Sequence, residues 1–234
     1  MTSLTIVLPT HNEGESIYST LKEISETTQT FEFETVIYVS EDGSKDNTRN
    51  EVLRASKDCQ TEIKLSEVSE RLGYSRAVQN SIKICKTDIF IFMDSDGQYD
   101  PKEIPKLLEK LAPKTIVCGY RNPRIDPWQR ILYSNLFKVV FYLFFRIKLI
   151  DPSSPFIAAY AKDVEFLQNS EIKLDYGFWW EFQARVHKQN IKVIEIPVRH
   201  RQRLVGKTQV YKITKLPRII FTHLVGLYKL QREL

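Results

Sequence analysis

Two spacings of apolar residues alternate along the first half of the chain. Apolar runs at Leu4–Leu8, Thr35–Ser40, Ile89–Met93 and Thr115–Gly119 read as strands, with Thr61–Ser66 a weaker one. Between them Ile17, Leu21 and Ile24 recur at i, i+4 and i+7, which is one face of a helix. Val52 and Leu53 mark a second helix, and about Tyr74–Cys85 a third. Strand and helix in alternation predict an α/β domain with a mostly parallel sheet covered by helices. Ile89–Met93 has no polar position, so it predicts a strand buried on both faces at the sheet's centre.

Candidate chemistry follows that central run. Asp94, Asp96 and Gln98 fall where the strand leaves the sheet, and the carboxyl ends of parallel strands are where open α/β sheets bind ligands. Two carboxylates with an amide oxygen beyond them suit a hard divalent cation that keeps some waters and grips substrate phosphates. Asp100-Pro101-Lys102-Glu103 behind them predicts a helix start, with Asp100 as N-cap, Pro at the first position and Glu103 closing a capping box. An Asp-rich turn that only caps a helix is the competing reading. Asn12-Glu13 and Glu41-Asp42 bring acids to two further strand ends. Singly each reads as a helix start; together the three loops predict a nucleotide-sized acidic crevice.

Charge changes the picture of the second half. Residues 1–113 carry 13 Lys/Arg against 20 Asp/Glu, whereas residues 114–234 carry 21 against 9. A basic half beside long aromatic stretches predicts an anionic partner: nucleic acid, phosphorylated lipid or a membrane surface. Cys59, Cys85 and Cys118 are odd in number and scattered, which predicts a reducing compartment and argues against a structural zinc site. The first residues read as a strand, not as a signal peptide.

Pro9-Thr10-His11-Asn12-Glu13, Glu41-Asp42-Gly43-Ser44 and Asp94-Ser95-Asp96-Gly97-Gln98, in that order and spacing, resemble the family 2 glycosyltransferases of the GT-A fold. Among them the chain looks most like the dolichyl- and polyprenyl-phosphate sugar synthases. The likeness continues through Gly119-Tyr120-Arg121, Asp151-Pro152-Ser153-Ser154, Tyr176-Gly177-Phe178, Glu195-Ile196-Pro197-Val198 and Arg203-Leu204-Val205-Gly206-Lys207-Thr208, over roughly residues 3–210. The resemblance implies that Asp42 reads the nucleotide base, with Pro9 and Glu13 lining the same pocket. It implies that Asp94, Asp96 and Gln98 hold Mg²⁺ or Mn²⁺, that Arg203 reaches the donor diphosphate, and that Arg121 and Arg130 hold the acceptor's phosphate. Glu41, Pro155, Ile157 and Gln209 depart from the family pattern, and Lys207 stands in for the charge lost at Gln209.

Pro127 to Ile147 is almost solidly apolar and aromatic, interrupted by Arg130, Lys138 and Arg146 at eight-residue intervals. That pattern predicts a helix in the plane of a membrane interface, with its basic groups toward lipid phosphates. The alternative is an amphipathic helix packed on the sheet. In the family such a helix sits at the bilayer and helps form the acceptor site. Ile213 to Leu230 repeats the pattern, with His223, Gly226 and Lys229 interrupting it. The expected organisation is a GT-A domain over 1–210 and a C-terminal amphipathic, membrane-facing helix over 211–234. Glu181, within Phe178-Trp179-Trp180-Glu181-Phe182, stands where the family places an acid near the reacting sugar, as general base or orienting acid. His11, His187, His200 and His223 show no ligand spacing and read as surface or structural.

The expected reaction is an inverting transfer of a hexose from a nucleotide-diphosphate sugar to a polyprenyl phosphate. The protein would be peripheral, on the cytoplasmic side of a membrane, with a membrane-anchoring partner protein one way to hold it there. Transfer to a hydroxyl of a glycan or glycolipid is the alternative reaction, and a non-catalytic membrane-binding protein the alternative class. Nucleic acid is not an expected partner, because the basic residues accompany aliphatic runs and form no docking motif.

Overall fold

The computed structural model describes residues 1–66, 68, 70–174, 177–203 and 216–234, the last stretch by backbone alone for 216–219. In chain order its elements are β1 (Ser3–Thr10), α1 (Ile17–Thr28), β2 (Glu34–Glu41), α2 (Thr48–Asp58), β3 (Glu62–Ser66), α3 (Tyr74–Ile84) and β4 (Ile89–Phe92). Then come α4 (Ile104–Lys110), β5 (Thr115–Arg121), α5 (Trp128–Phe145), β6 (Ile157–Tyr160), α6 (Ala161–Val164), α7 (Phe178–Lys188), β7 (Lys192–Val198) and α8 (Leu216–Glu233).

The strands form one sheet in the order β3-β2-β1-β4-β6-β5-β7. All neighbours pair parallel except at β6, which runs antiparallel to both β4 and β5. The expected central strand is the middle one, and alternation places its side chains in two different cores. Ile89 and Ile91 join Leu4, Ile6, Leu8 and the α1 residues Ile17, Leu21 and Ile24 on one face. Phe90 and Phe92 join Val78, Val186 and Trp179 on the other. A strand with a core on each side has no place for a polar residue until it leaves the sheet at Asp94.

A third cluster lies off the sheet, where Phe141 of α5, Trp180 and Ala184 of α7, and Leu227 and Leu230 of α8 pack with Leu174. It uses only part of α5, in which Phe141 alone is fully buried. Trp128, Leu132, Leu136, Val139 and Leu143 follow one another at helical spacing and all are exposed, Trp128 by 69%. Of the expected row of outward basic groups, Arg146 is exposed while Arg130 and Lys138 are half-buried. Arg130 turns to Asp126, Lys138 donates to the Ile150 carbonyl, Arg146 lies over the Tyr142 ring, and the outward row is apolar. On α8, Ile220, Phe221, Leu224 and Tyr228 are likewise exposed. Among the described residues no helix is long and apolar enough to cross a membrane.

Two further expectations differ from the structure. Asp100 does cap, accepting from Lys102 N at 3.1 Å, but over one 3₁₀ turn, and Glu103 pairs forward with Lys106 instead of closing a capping box. Leu53 of α2 is exposed, so Val52 and Ala55 make that helix's core contact.

Candidate active site

In the sheet order, β1 is flanked by β2 and β4, so the strand order reverses between these parallel neighbours and leaves a crevice at their carboxyl ends. Hydrogen bonds lace the loops at that edge together. Ser95 Oγ donates to the Pro9 carbonyl at 3.1 Å, Asp42 N donates to the Thr10 carbonyl at 3.0 Å, and Gly14 N donates to Asp46 at 3.0 Å. The three acidic loops predicted at one edge are thus brought together.

Asp94 and Asp96 stand in the crevice, Asp94 half-buried and Asp96 buried. Burial raises the pKa of both. Asp96 is pushed up to about 7, by burial first and then by the Asp94 charge. Tyr74 Oη opposes the shift at Asp94 by donating to its Oδ1 at 2.9 Å. Gln98 uses its side-chain nitrogen on the Arg201 carbonyl at 3.2 Å, which leaves the amide oxygen to meet a cation. Two carboxylates at the mouth of one crevice, beside an amide oxygen, are a donor set that fits a hard divalent ion. Among the described residues no group of three or more His, Cys, Asp or Glu forms a cage by itself. A cation there would complete its shell with waters or substrate oxygens.

Arg203 forms an ion pair with Glu13, whose other oxygen accepts from Ser16 Oγ at 3.0 Å. Although burial works against it, that bond and the charges of Glu13, Asp96 and Asp94 raise the Arg203 pKa, so the guanidinium serves as a counter-ion to the crevice. Beside it a cavity of about 280 Å³ is lined by Gln98, Asp126, Pro127, Arg130 and Arg203. Asp126 is the residue that sequence reasoning missed there. It accepts from Arg124 at 2.6 Å and Arg130 at 2.9 Å and lies 3.6 Å from Arg121, and against the effect of burial these arginines hold its carboxyl below the usual range. A lone Asp before a Pro gave no sign of such convergence. A larger hollow of about 800 Å³ lies at the foot of α8, where Lys173 pairs with Glu171 and Glu233 in a packing seam.

Other expected site residues are placed differently. Asp42 is only 3% exposed, and its carboxylate accepts from Leu72 N at 2.6 Å and Gly73 N at 2.9 Å. It therefore ties the 72–73 backbone to the end of β2 and forms part of the crevice wall. Arg121 is closed on Asp151 and Ser153, at 2.6 to 2.8 Å. Its side chain is only 6% exposed, so the structure places it in this clamp and not on the cavity that Arg130 lines. Glu181 is enclosed as well: it is 1% exposed and accepts from Lys173 N, Leu174 N and Arg185 Nε, all at 2.8 Å, so its carboxylate meets these partners and not an open crevice. His200 is buried on Tyr99, and burial, then Arg121, lowers its pKa to about 4, so it is a neutral structural residue. Lys207 lies outside the described residues, as does the rest of its loop after Arg203.

Residues 5–162 match the family model described as Glycosyl transferase family 2. A dolichol-phosphate mannosyltransferase of Pyrococcus furiosus is 27% identical over 250 residues, covering 96% of this chain and 68% of the relative. An undecaprenyl-phosphate 4-deoxy-4-formamido-L-arabinose transferase of Pseudomonas fluorescens is 29% identical over 124 residues, 53% of this chain and 36% of the relative. In fold the chain is similar to glucosyl-3-phosphoglycerate synthase of Mycobacterium tuberculosis. The structure of that protein with Mn²⁺, uridine-diphosphate-glucose and phosphoglyceric acid superposes with a TM-score of 0.73 at 18% identity, covering 97% of this chain and 80% of that one. Its structure with Mg²⁺ and uridine diphosphate gives a TM-score of 0.70 at 17% identity, with the same coverage.

Proposed function

The chain belongs to glycosyl transferase family 2, and on that footing we propose that it transfers a hexose from a nucleotide-diphosphate sugar to a polyprenyl phosphate at a membrane surface. One observation carries the reading. Gln98 and Arg203, from the donor side, line the same cavity as Arg130. Arg130 stands on the first turn of α5, whose outer row is apolar and exposed. A lipid lying along that row would bring its phosphate to Arg130 and to the donor together. The names of the two curated relatives support the same acceptor class.

In this reading Pro9, Glu13 and the wall anchored by Asp42 enclose the nucleotide. Asp94, Asp96 and Gln98 hold Mg²⁺ or Mn²⁺, as the metals and uridine diphosphate bound by the structural neighbours support. When bound, the cation supplies Lewis-acid stabilisation of the leaving diphosphate. Arg203 exchanges Glu13 for the diphosphate oxygens, a planar donor meeting phosphate. Arg130 exchanges Asp126 for the acceptor's phosphate. That phosphate has a second pKa near ~6 and is mostly dianionic at neutral pH, so its oxygen attacks the anomeric carbon with inversion and no general base. The closed state of Glu181 agrees with such a nucleophile.

The test is release of nucleoside diphosphate from a panel of nucleotide sugars, with a short polyprenyl phosphate or the matching polyprenol as acceptor. Release with the phosphate alone is expected. Release with a glycan or lipid hydroxyl, and none with the phosphate, would replace this reading with the hydroxyl-acceptor reaction.

A further inference from the structure

We propose that Tyr74 and Trp179 are positioning residues that hold the Asp94 carboxylate by one oxygen, in the orientation in which it would meet a cation. The inference rests on the metal-dependent reading given above. Trp179 Nε1 lies 2.8 Å from Tyr74 Oη, and Tyr74 Oη lies 2.9 Å from Asp94 Oδ1. The direction of this chain follows from its members. An indole N–H only donates, so the tyrosine oxygen accepts from it, and the tyrosine hydrogen goes to the carboxylate, which in ionised form only accepts. Each bond polarises the next. The hydroxyl thereby takes one acceptor site of Asp94 Oδ1 and fixes the rotation of the carboxylate, which keeps acceptor sites for a metal.

Both donors are fixed by the fold. Trp179, the second residue of α7, is buried with its ring 5.5 Å from Phe92 and 5.4 Å from Phe182. Tyr74 is the first residue of α3, and its ring meets Trp179 edge-on at 6.4 Å. The preceding Gly73 has φ +94°, a backbone state that side chains rarely adopt, and Asp42 holds its amide. The nucleotide wall and the metal ligand are therefore joined through two consecutive residues. Groups next to metal ligands orient them, and their loss weakens metal binding by roughly 10- to 100-fold.

The experiment measures free Mn²⁺ by electron paramagnetic resonance, titrating the whole protein with uridine diphosphate and, separately, guanosine diphosphate. Tyr74→Phe keeps the ring, removes the hydroxyl, and is expected to weaken nucleotide-dependent Mn²⁺ binding about tenfold or more. Trp179→Phe is expected to produce a smaller loss, and no further loss on top of Tyr74→Phe, because its effect passes through the hydroxyl. In metal-free protein, Tyr74→Phe should also shift the Trp179 indole N–H proton resonance, and thermal midpoints report whether each variant folds. Unchanged Mn²⁺ affinity in Tyr74→Phe, tighter binding, or losses that add in the double variant would overturn the proposal. The parent and Asp96→Ala separate the two levels of the inference. A parent that binds no Mn²⁺ with either nucleotide, or an Asp96→Ala variant that binds as the parent does, overturns the metal reading itself.

Discussion

Arg121 and Asp151 form a two-pronged ion pair, Nε to Oδ2 at 2.6 Å and Nη2 to Oδ1 at 2.8 Å, with both side chains only 6% exposed. The pair clamps the end of β5 to the loop before β6, and Glu195 adds to the clamp by accepting from the Asp151 amide at 2.9 Å. Breaking a buried pair leaves an uncompensated charge, so Arg121→Ala should lower stability by about 3–5 kcal/mol in denaturant titration. Arg121→Lys should recover only part of this, because an ammonium cannot make the fork. An Arg121→Ala variant of parental stability would show that the clamp is dispensable.

Arg130 behaves differently because it is partly exposed and lines the cavity. Charge-assisted hydrogen bonds contribute about 1.5–3 kcal/mol, so Arg130→Ala should raise the KM for a polyprenyl phosphate roughly ten- to a hundredfold. Nucleotide binding and thermal midpoint should stay near the parental values. Equal acceptor KM in variant and parent would remove Arg130 from the acceptor site.

Two carboxylates give pH dependences of opposite sign. The Asp96 pKa is raised to about 7, by burial first, with Asp94, Glu13 and Arg203 the charges that also act on it. Its contribution to stability is therefore fully present below its unfolded value of about 3.9 and is lost as pH rises through about 7. Without metal, the stability difference between Asp96→Asn and the parent should shift in the variant's favour from pH 5 to pH 8. The Asp151 pKa is lowered to about 2 by Arg121, against burial. Its contribution is present above about 3.9 and is lost as pH falls through about 2. Thermal midpoints measured from about pH 2 to about pH 8 check both, and parallel pH curves for Asp96→Asn and the parent would contradict the first.

The strands that frame the crevice were legible because each is a continuous apolar run with nothing else to signify. β6 was not, since Ile-Ala-Ala-Tyr is too short and too poor in β-branched residues to stand out, and β7 contains Pro197. Spacing put Asp94, Asp96 and Gln98 at a strand end but left a capping turn as the competing reading, and only the family resemblance implied a metal. The fates of Arg121 and Tyr74 were not legible, since their partners lie 30 and 20 residues away and only the folded sheet brings them together. Glu181 is the instructive case. Arg185 stands four residues on, the spacing of a helical ion pair, so its closed state was readable from the sequence, but the acid's place in the family pattern outweighed that.

Gly226 separates two effects of a methyl group. In a helix, alanine is better than glycine by about 1 kcal/mol. Here a Cβ would lie 2.6 Å from both Leu174 Cδ2 and the Lys173 carbonyl, and backbone cannot give way cheaply. Overpacking of that kind costs about 1–3 kcal/mol, so Gly226→Ala should lower the thermal midpoint and loosen α8, seen as faster proteolysis near the C-terminus. A raised midpoint would mean that α8 sits further from Leu174 than described.

The membrane prediction rests on which side chains face outward. Trp128, Leu132, Leu136, Val139 and Leu143 on α5, with Phe221 (70% exposed) and Tyr228 on α8, would be costly to leave in water and gain by entering a lipid interface. Liposome binding should therefore survive high salt in part, because screening removes the contribution of Lys and Arg but leaves apolar burial. Fully burying a leucine side chain contributes roughly 1.5–3 kcal/mol. Leu136→Glu should then weaken partitioning onto anionic vesicles by about tenfold or more, and Leu136→Glu with Leu143→Glu should abolish it. The kcat for a short, water-soluble polyprenyl phosphate should persist in both variants, since neither residue lines the cavity, while its KM rises with the loss of the apolar row. If the charged variants still bind vesicles as the parent does, α5 is not the docking face. If the parent binds none at any salt, the apolar row covers a protein surface instead.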